Sequence, residues 1–161
     1  MSAQAADAAP RRERRIWRTL QSVMDPEIPV VNVVELGVVR HVRTGEDGRV
    51  HVGLTPTYSG CPATEAIEQA VRAALDRAGL DDVALETVLW PAWSSEWLSE
   101  SGRRKLEAFG IAIEPRAGGA PACPRCASRN VERIGEFGST PCKAHYRCRT
   151  CLEPFDTFKC L

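Results

Sequence analysis

Two CxxC pairs, Cys123-Pro124-Arg125-Cys126 and Cys148-Arg149-Thr150-Cys151, stand near the C-terminal end with 21 residues between them. No other feature limits the fold so tightly. A CxxC segment sets two thiolates at the tip of a tight knuckle, and two facing knuckles form a tetrahedral sulfur cage. Such a cage suits Zn²⁺ or, in a rubredoxin-like arrangement, iron. The spacing is longer than the commonest zinc-ribbon pattern but within loop tolerance. Free thiols or disulfides are the competing reading, and two pairs at the same spacing argue against it. Cys123, Cys126, Cys148 and Cys151 are therefore the expected ligands of a structural zinc, with iron left open.

The chain has 161 residues, enough for one domain of ordinary size and a small module. Hydrophobic residues make up 43%, so a packed core is expected. The formal charge of zero divides unevenly. Residues 1–115 hold 13 Lys+Arg against 17 Asp+Glu, and residues 116–161 hold 8 against 4. A positive tail could touch nucleic acid, an acidic protein or the acidic first domain. No apolar run is long enough to span a membrane. Residues 1–10 are Ala-rich without the apolar core of a signal peptide. Seven cysteines are then expected in a reducing cytoplasm, where metal binding outranks disulfides.

Residues 1–9 are expected as a disordered tail. From residue 10 to 24, Ile16, Trp17, Leu20, Val23 and Met24 recur at helical spacing. Asp25-Pro26-Glu27 ends that helix, because the residue before proline avoids the helical region. Residues 38–44 and 49–55 alternate apolar and polar positions around Gly45-Glu46-Asp47-Gly48, a hairpin pattern. Pro62 suits a helix start, and the helix should run to about Ala78, bury Ile67, Ala70, Val71, Ala74 and Leu75, and stop at Gly79. Residues 83–89 read as a strand. Residues 94–109 read as a polar helix, open to being in two pieces, and 110–114 as a short extended piece. The expected architecture is α/β (α+β). A small mixed sheet packed by helices fills residues 10–115, a linker covers 116–122, and a Cys₄ ribbon covers 123–161.

Cys61 precedes Pro62, where partial positive charge from a helix N-terminus favours a thiolate. A thiolate there could hold iron or a cluster, attack an electrophile or exchange disulfides. Packing as a small hydrophobe is an equal reading. Asp25, Glu27 and Glu35 could supply oxygen ligands, although loop acids usually serve turns. His41 and His51 read as sheet-surface residues and His145 as a spare beside the cage. Cys142 and Cys160 read as auxiliary thiols near the cage, each more simply an inert filler. Trp90, Trp93 and Trp97 read as a core or domain-packing cluster.

Asp25-Pro26-Glu27, then Asn32-Val33-Val34-Glu35-Leu36-Gly37-Val38-Val39, then Thr57-Tyr58-Ser59-Gly60-Cys61-Pro62 resemble the iron–sulfur assembly domain family that includes SufT-like proteins. The tail, with Phe137-Gly138-Ser139-Thr140-Pro141-Cys142-Lys143 between the CxxC pairs, is similar to ribbon-bearing members encoded with the multicomponent phenylacetyl-CoA 1,2-epoxidase. The two motifs together cover the chain from about residue 14. The resemblance implies a non-catalytic accessory factor of aerobic phenylacetate breakdown. It would mature or insert iron or Fe–S centres, with the epoxidase's oxygenase and reductase components as partners. It also implies that Cys61 holds the cargo, transiently iron or an Fe–S cluster, with Asp25, Glu27 and Glu35 around it. The residues agree in one respect. The chain shows no GxGxxG fingerprint and no Glu-x-x-His di-iron pair. An electron-transfer or structural subunit and a nucleic-acid-binding ribbon are the alternatives, nucleic acid being disfavoured. A homodimer stays open.

Overall fold

Ile16 and Leu20 lie one helical turn apart, and both are fully buried. They anchor α1 (Ala3–Leu20) against α2 and β1 in a computed structural model that describes residues 3–115 and 118–159, with the side chains of residues 10–115 and 118–159. The helix starts before Pro10, over the stretch expected as a disordered tail. That stretch is rich in alanine, the best helix former. It ends at Leu20, short of the expected Met24. There the amides of Ser22 and Val23 turn to the carbonyls of Thr19 and Leu20 at 3.1 and 3.0 Å, tightening the last turn.

The first sheet follows the alternating pattern. β1 (Val39–Thr44) and β2 (Val50–Leu54) form the antiparallel hairpin, closed where the Gly45 amide donates to the Arg49 carbonyl at 2.8 Å. α2 (Ala63–Arg77) then crosses over, and β3 (Ala84–Thr87) lies parallel to β2, giving the order β1-β2-β3. α2 buries Ile67, Val71, Ala74 and Leu75 as its periodicity predicts, with Ala70 half-buried. It stops at Gly79, whose φ is +66°. The polar stretch is indeed in two pieces, a 3₁₀ turn at Ser95–Trp97 and α3 (Glu100–Ala108). Ser94 and Ser99 cap them through hydroxyl oxygens that accept from the Glu96 and Gly102 amides.

The second sheet has the order β4-β7-β6-β5, with β4 (Ile111–Ile113), β5 (Val131–Gly135), β6 (Lys143–Cys148) and β7 (Pro154–Phe158). β5, β6 and β7 are the antiparallel ribbon. β4, expected as the end of the first domain, pairs parallel to β7 and so belongs to the ribbon's sheet. Its alternation serves both modules. Ile111 enters the large core, while Ala112 joins a small cluster with Cys123, Cys148 and Phe155. Cys142 and Phe158, from the ribbon, also sit in the large core. The ribbon thus lends apolar residues to the first domain instead of hanging from a linker. Its own cluster is too small to fold without a further tie.

Candidate functional site

The four cage sulfurs lie within 4.8 Å of one another, with Cys123–Cys151 at 3.7 Å and Cys126–Cys148 at 3.6 Å. A tetrahedral Zn–S length of about 2.3 Å requires sulfurs about 3.8 Å apart, so the donor set fits zinc. The knuckles are shaped by backbone. The Ala127 amide donates to the Cys123 carbonyl at 2.8 Å, and Ala127 and Leu152, each following the second cysteine of a pair, have φ of 59° and 65°. The Cys151 and Thr150 amides pointing at Cys148 pull its pKa down to about 6. For Cys126 the Ser128 amide pulls the same way, but burial and the neighbouring sulfurs drive its pKa up to about 12. Four crowded sulfurs resist ionising together unless a cation neutralises them, and zinc supplies that charge.

Cys61 stands two residues before α2, in a tight loop. Its amide donates to the Tyr58 carbonyl and its carbonyl accepts from the Thr64 amide, at 3.0 and 3.1 Å. The side chain is half-buried. Beside it opens a cavity with about 20 Å³ open to the centre of a water-sized sphere, room for one or two small groups. Asp25, Glu27 and Cys61 all line it, so three of the residues expected together are together. Asp25 is only 5% exposed, and its Oδ1 accepts from the Glu27 and Ile28 amides at 2.9 and 2.7 Å. That bond set fixes the turn which brings Glu27 to the cavity.

Glu35 is not among the lining residues, which corrects its expected place. Its Oε1 accepts from Lys105 Nζ at 2.7 Å and from Ser101 Oγ at 2.8 Å, and its Oε2 from the Asn32 amide at 3.1 Å. Burial opposes ionisation, but these donors outweigh it and hold the Glu35 carboxyl below its ordinary range. The residue fastens the 32–36 loop to α3. Two cavity residues were not expected there. Glu68 projects from α2, and Cys142 arrives from the turn before β6. Burial raises the Cys142 thiol's pKa; Thr140 and Lys143 oppose, and Cys61 and Glu27 add to the rise. Nothing in the spacing between Cys61 and Cys142 could have announced this, since no local period links them.

Among the described residues, the remaining candidates do not line this cavity. His41 and His51 meet through Glu86, at 2.6 and 3.5 Å, in an ion-pair cluster on the sheet surface. His145 pairs with Asp156 at 3.0 Å, outside the cage. The tryptophans divide. Trp93 is buried and donates from Nε1 to the Leu36 carbonyl at 2.9 Å, Trp97 is half-buried under the Arg40 guanidinium, and Trp90 is 86% exposed, contrary to its expected core role. The ribbon's cations meet partners of their own. Arg147 and Arg149 clasp Glu132, Arg125 pairs with Glu153, and Arg133 with Glu136. Cys160 lies outside the described residues.

Comparison with known proteins follows the same division. Residues 13–88 match the family described as iron-sulfur cluster assembly protein, and residues 114–159 the family described as PaaD zinc beta ribbon domain. The chain is 45% identical to a putative 1,2-phenylacetyl-CoA epoxidase subunit of Escherichia coli (strain K12), over 97% of this chain and 98% of that one. It is 38% identical to an Fe-S protein maturation auxiliary factor of Porphyromonas gingivalis, over 58% of this chain and 90% of that one. In solved structures, a DUF59 domain from Bacillus anthracis covers 58% of this chain and 90% of its own, at TM-score 0.53 and 29% identity. An iron–sulfur assembly domain followed by this particular zinc ribbon, matched nearly end to end by the E. coli protein, places the chain in the PaaD family.

Proposed function

We propose that this protein is a non-catalytic maturation factor that delivers iron or an Fe–S centre to the oxygenase or reductase component of a phenylacetyl-CoA 1,2-epoxidase, in the cytoplasm. The observation that carries the reading is the cavity at the start of α2, which Cys61 lines together with Asp25 and Glu27. Thiolate and carboxylate together suit a borderline divalent cation held for transfer. The relatives named as Fe–S maturation factors support the same role. The ribbon zinc, with four protein thiolates, leaves no open position for chemistry.

The test is a strain lacking this protein. Its oxygenase or reductase component is expected to be made but under-loaded with iron, and Fe²⁺, sulfide and reductant should restore part of the epoxidation to the isolated component. If fully metallated components epoxidise only when this protein is added in stoichiometric amount, it is a working subunit. That second reading has one observation in its favour, the naming of the E. coli relative as part of the epoxidase itself.

A further inference from the structure

Trp90 is 86% exposed, and Leu89 beside it 68%. The other exposed large hydrophobics among the described residues stand singly in the chain. Pro91 and Ala92 are exposed as well, so residues 89–92 form an apolar tip on the loop after β3. A tryptophan left in water forgoes the burial that stabilises a fold. Contiguous exposed apolar surface of this kind marks a contact site.

The tip is held at both ends. On one side the Val88 amide donates to the Leu54 carbonyl at 2.7 Å, and Thr87 Oγ1 donates to Glu68 at 3.3 Å. On the other, Trp93 is buried, its Nε1 donates to the Leu36 carbonyl and its ring packs on Phe158. Leu36, Leu54, Glu68 and Phe158 all line the Cys61 cavity. The loop therefore stands on the cavity wall. Two residues span at most about 7 Å, so the Trp90 backbone lies no further than that from Val88. A contact residue already held in place loses little freedom when a partner covers it, which favours binding.

The charge beside the tip selects the partner. Asp25, Glu27 and Glu68 reach the cavity wall, and among the described residues none of them pairs with a lysine, arginine or histidine. By contrast Asp82, Glu86, Glu100 and Glu132 each hold an arginine. Unneutralised carboxylates next to an apolar tip repel nucleic acid and anionic lipid, and attract a basic protein surface. Trp90 offers at most about 250 Å² of contact. A stable dimer takes about 800 Å² from each copy, so the tip suits a transient partner better than a second copy of this chain.

We propose that residues 89–92 are the docking point for the client protein. Trp90 enters an apolar recess on the client, and lysine or arginine around that recess faces Asp25, Glu27 and Glu68. The proposal deepens the maturation reading and rests on it for the identity of the client. Docking there brings the client's surface to the wall of the cavity that Cys61 lines.

The probes are the purified oxygenase and reductase components from a strain lacking this protein. Calorimetry measures their binding to the full-length, zinc-loaded chain. One component is expected to bind the wild type, about 10-fold more weakly at about 300 mM than at about 50 mM salt. Trp90→Ala should weaken that binding about 30-fold, the loss typical of a central interface tryptophan. Ile134→Ala, at an exposed hydrophobic of β5, should leave it unchanged. Leu89→Ala repeats the test, with a smaller loss, if Trp90→Ala misfolds. Full affinity in both tip variants would overturn the docking point, as would a wild type that binds neither component. Affinity indifferent to salt would overturn the basic rim on the client. A dimer of this chain that Trp90→Ala dissolves would make the occupant a second copy and overturn the proposal too. The iron content of the components decides the maturation reading separately. Components fully loaded without this protein, yet bound through Trp90, would remove that reading and keep the docking point.

Discussion

The Phe158 ring lies 5.5 Å from the Trp93 ring, centroid to centroid, tilted by 45°. One ring comes from the last ribbon strand and the other from the loop after β3. Both are almost fully buried, at 1% and 2% exposure. The contact docks the ribbon on the assembly domain, and Phe158 also forms part of the Cys61 cavity. Docking and site formation therefore share a residue.

Phe158→Ala should cost about 3–5 kcal/mol, the usual loss for a large buried aromatic. Denaturant unfolding will measure it. Because Phe158 joins the modules, the variant should also expose the ribbon to protease before the assembly domain. Simultaneous loss of both modules at one denaturant concentration, with no early cleavage, would contradict this.

Removing the zinc, by chelator or by Cys126→Ser, should melt the cage end of the ribbon. The small cluster of Ala112, Cys123, Cys148 and Phe155 has too little area to hold alone. Amide exchange should rise across residues 123–131 and 146–153. Val52, Val71 and Leu75, in the large core, should keep their protection.

Cys61→Ser should change stability by less than about 1 kcal/mol, since the residue is half-buried and the change nearly isosteric. It should abolish phenylacetate-dependent growth. Full complementation would return Cys61 to a packing role.

Glu35 gives a pH signature. Its folded pKa lies below the ordinary value of 4.5, so its stabilisation is complete above that value and is lost as pH falls through the lower folded one. Glu35→Gln should destabilise by about 1–3 kcal/mol at neutral pH, the range for hydrogen bonds to a charged group. The gap to wild type should narrow below about pH 4. A gap that stays constant from about pH 7 to about pH 3 would mean that the charge contributes nothing.

Gly37 and Gly48 separate strain from collision. Both have positive φ, 72° and 75°. A Cβ at Gly37 would lie 2.7 Å from the Trp97 carbonyl oxygen, whereas one at Gly48 meets nothing within 4 Å. Gly48→Ala should cost about 1–2 kcal/mol, the left-handed penalty alone. Gly37→Ala should cost clearly more, and thermal melts of the two variants will rank them.

The local features were legible because they are written at short range. The two CxxC pairs specify their knuckles within four residues each. Ile67, Val71, Ala74 and Leu75 specify a helix face by their period, and Gly45 to Gly48 specify a hairpin. The cluster of acids near Asp25-Pro26-Glu27 was legible as a turn, and its Asp25 does serve one. Glu35 was misplaced because a loop acid carries no sign of its partner. Only the approach of α3 assigns it to Lys105 and Ser101.

The sequence by itself determined the zinc cage, the order of helices and strands in the assembly domain, and the loop that presents Cys61. Each follows from spacing, turn chemistry or periodicity over a few residues. Tertiary structure alone decided that β4 completes the ribbon's sheet, that Phe158 enters the other module's core, and that Cys142 reaches the Cys61 cavity. Those outcomes come from burying apolar surface between segments distant in the chain. No local pattern records which distant surface will be the partner.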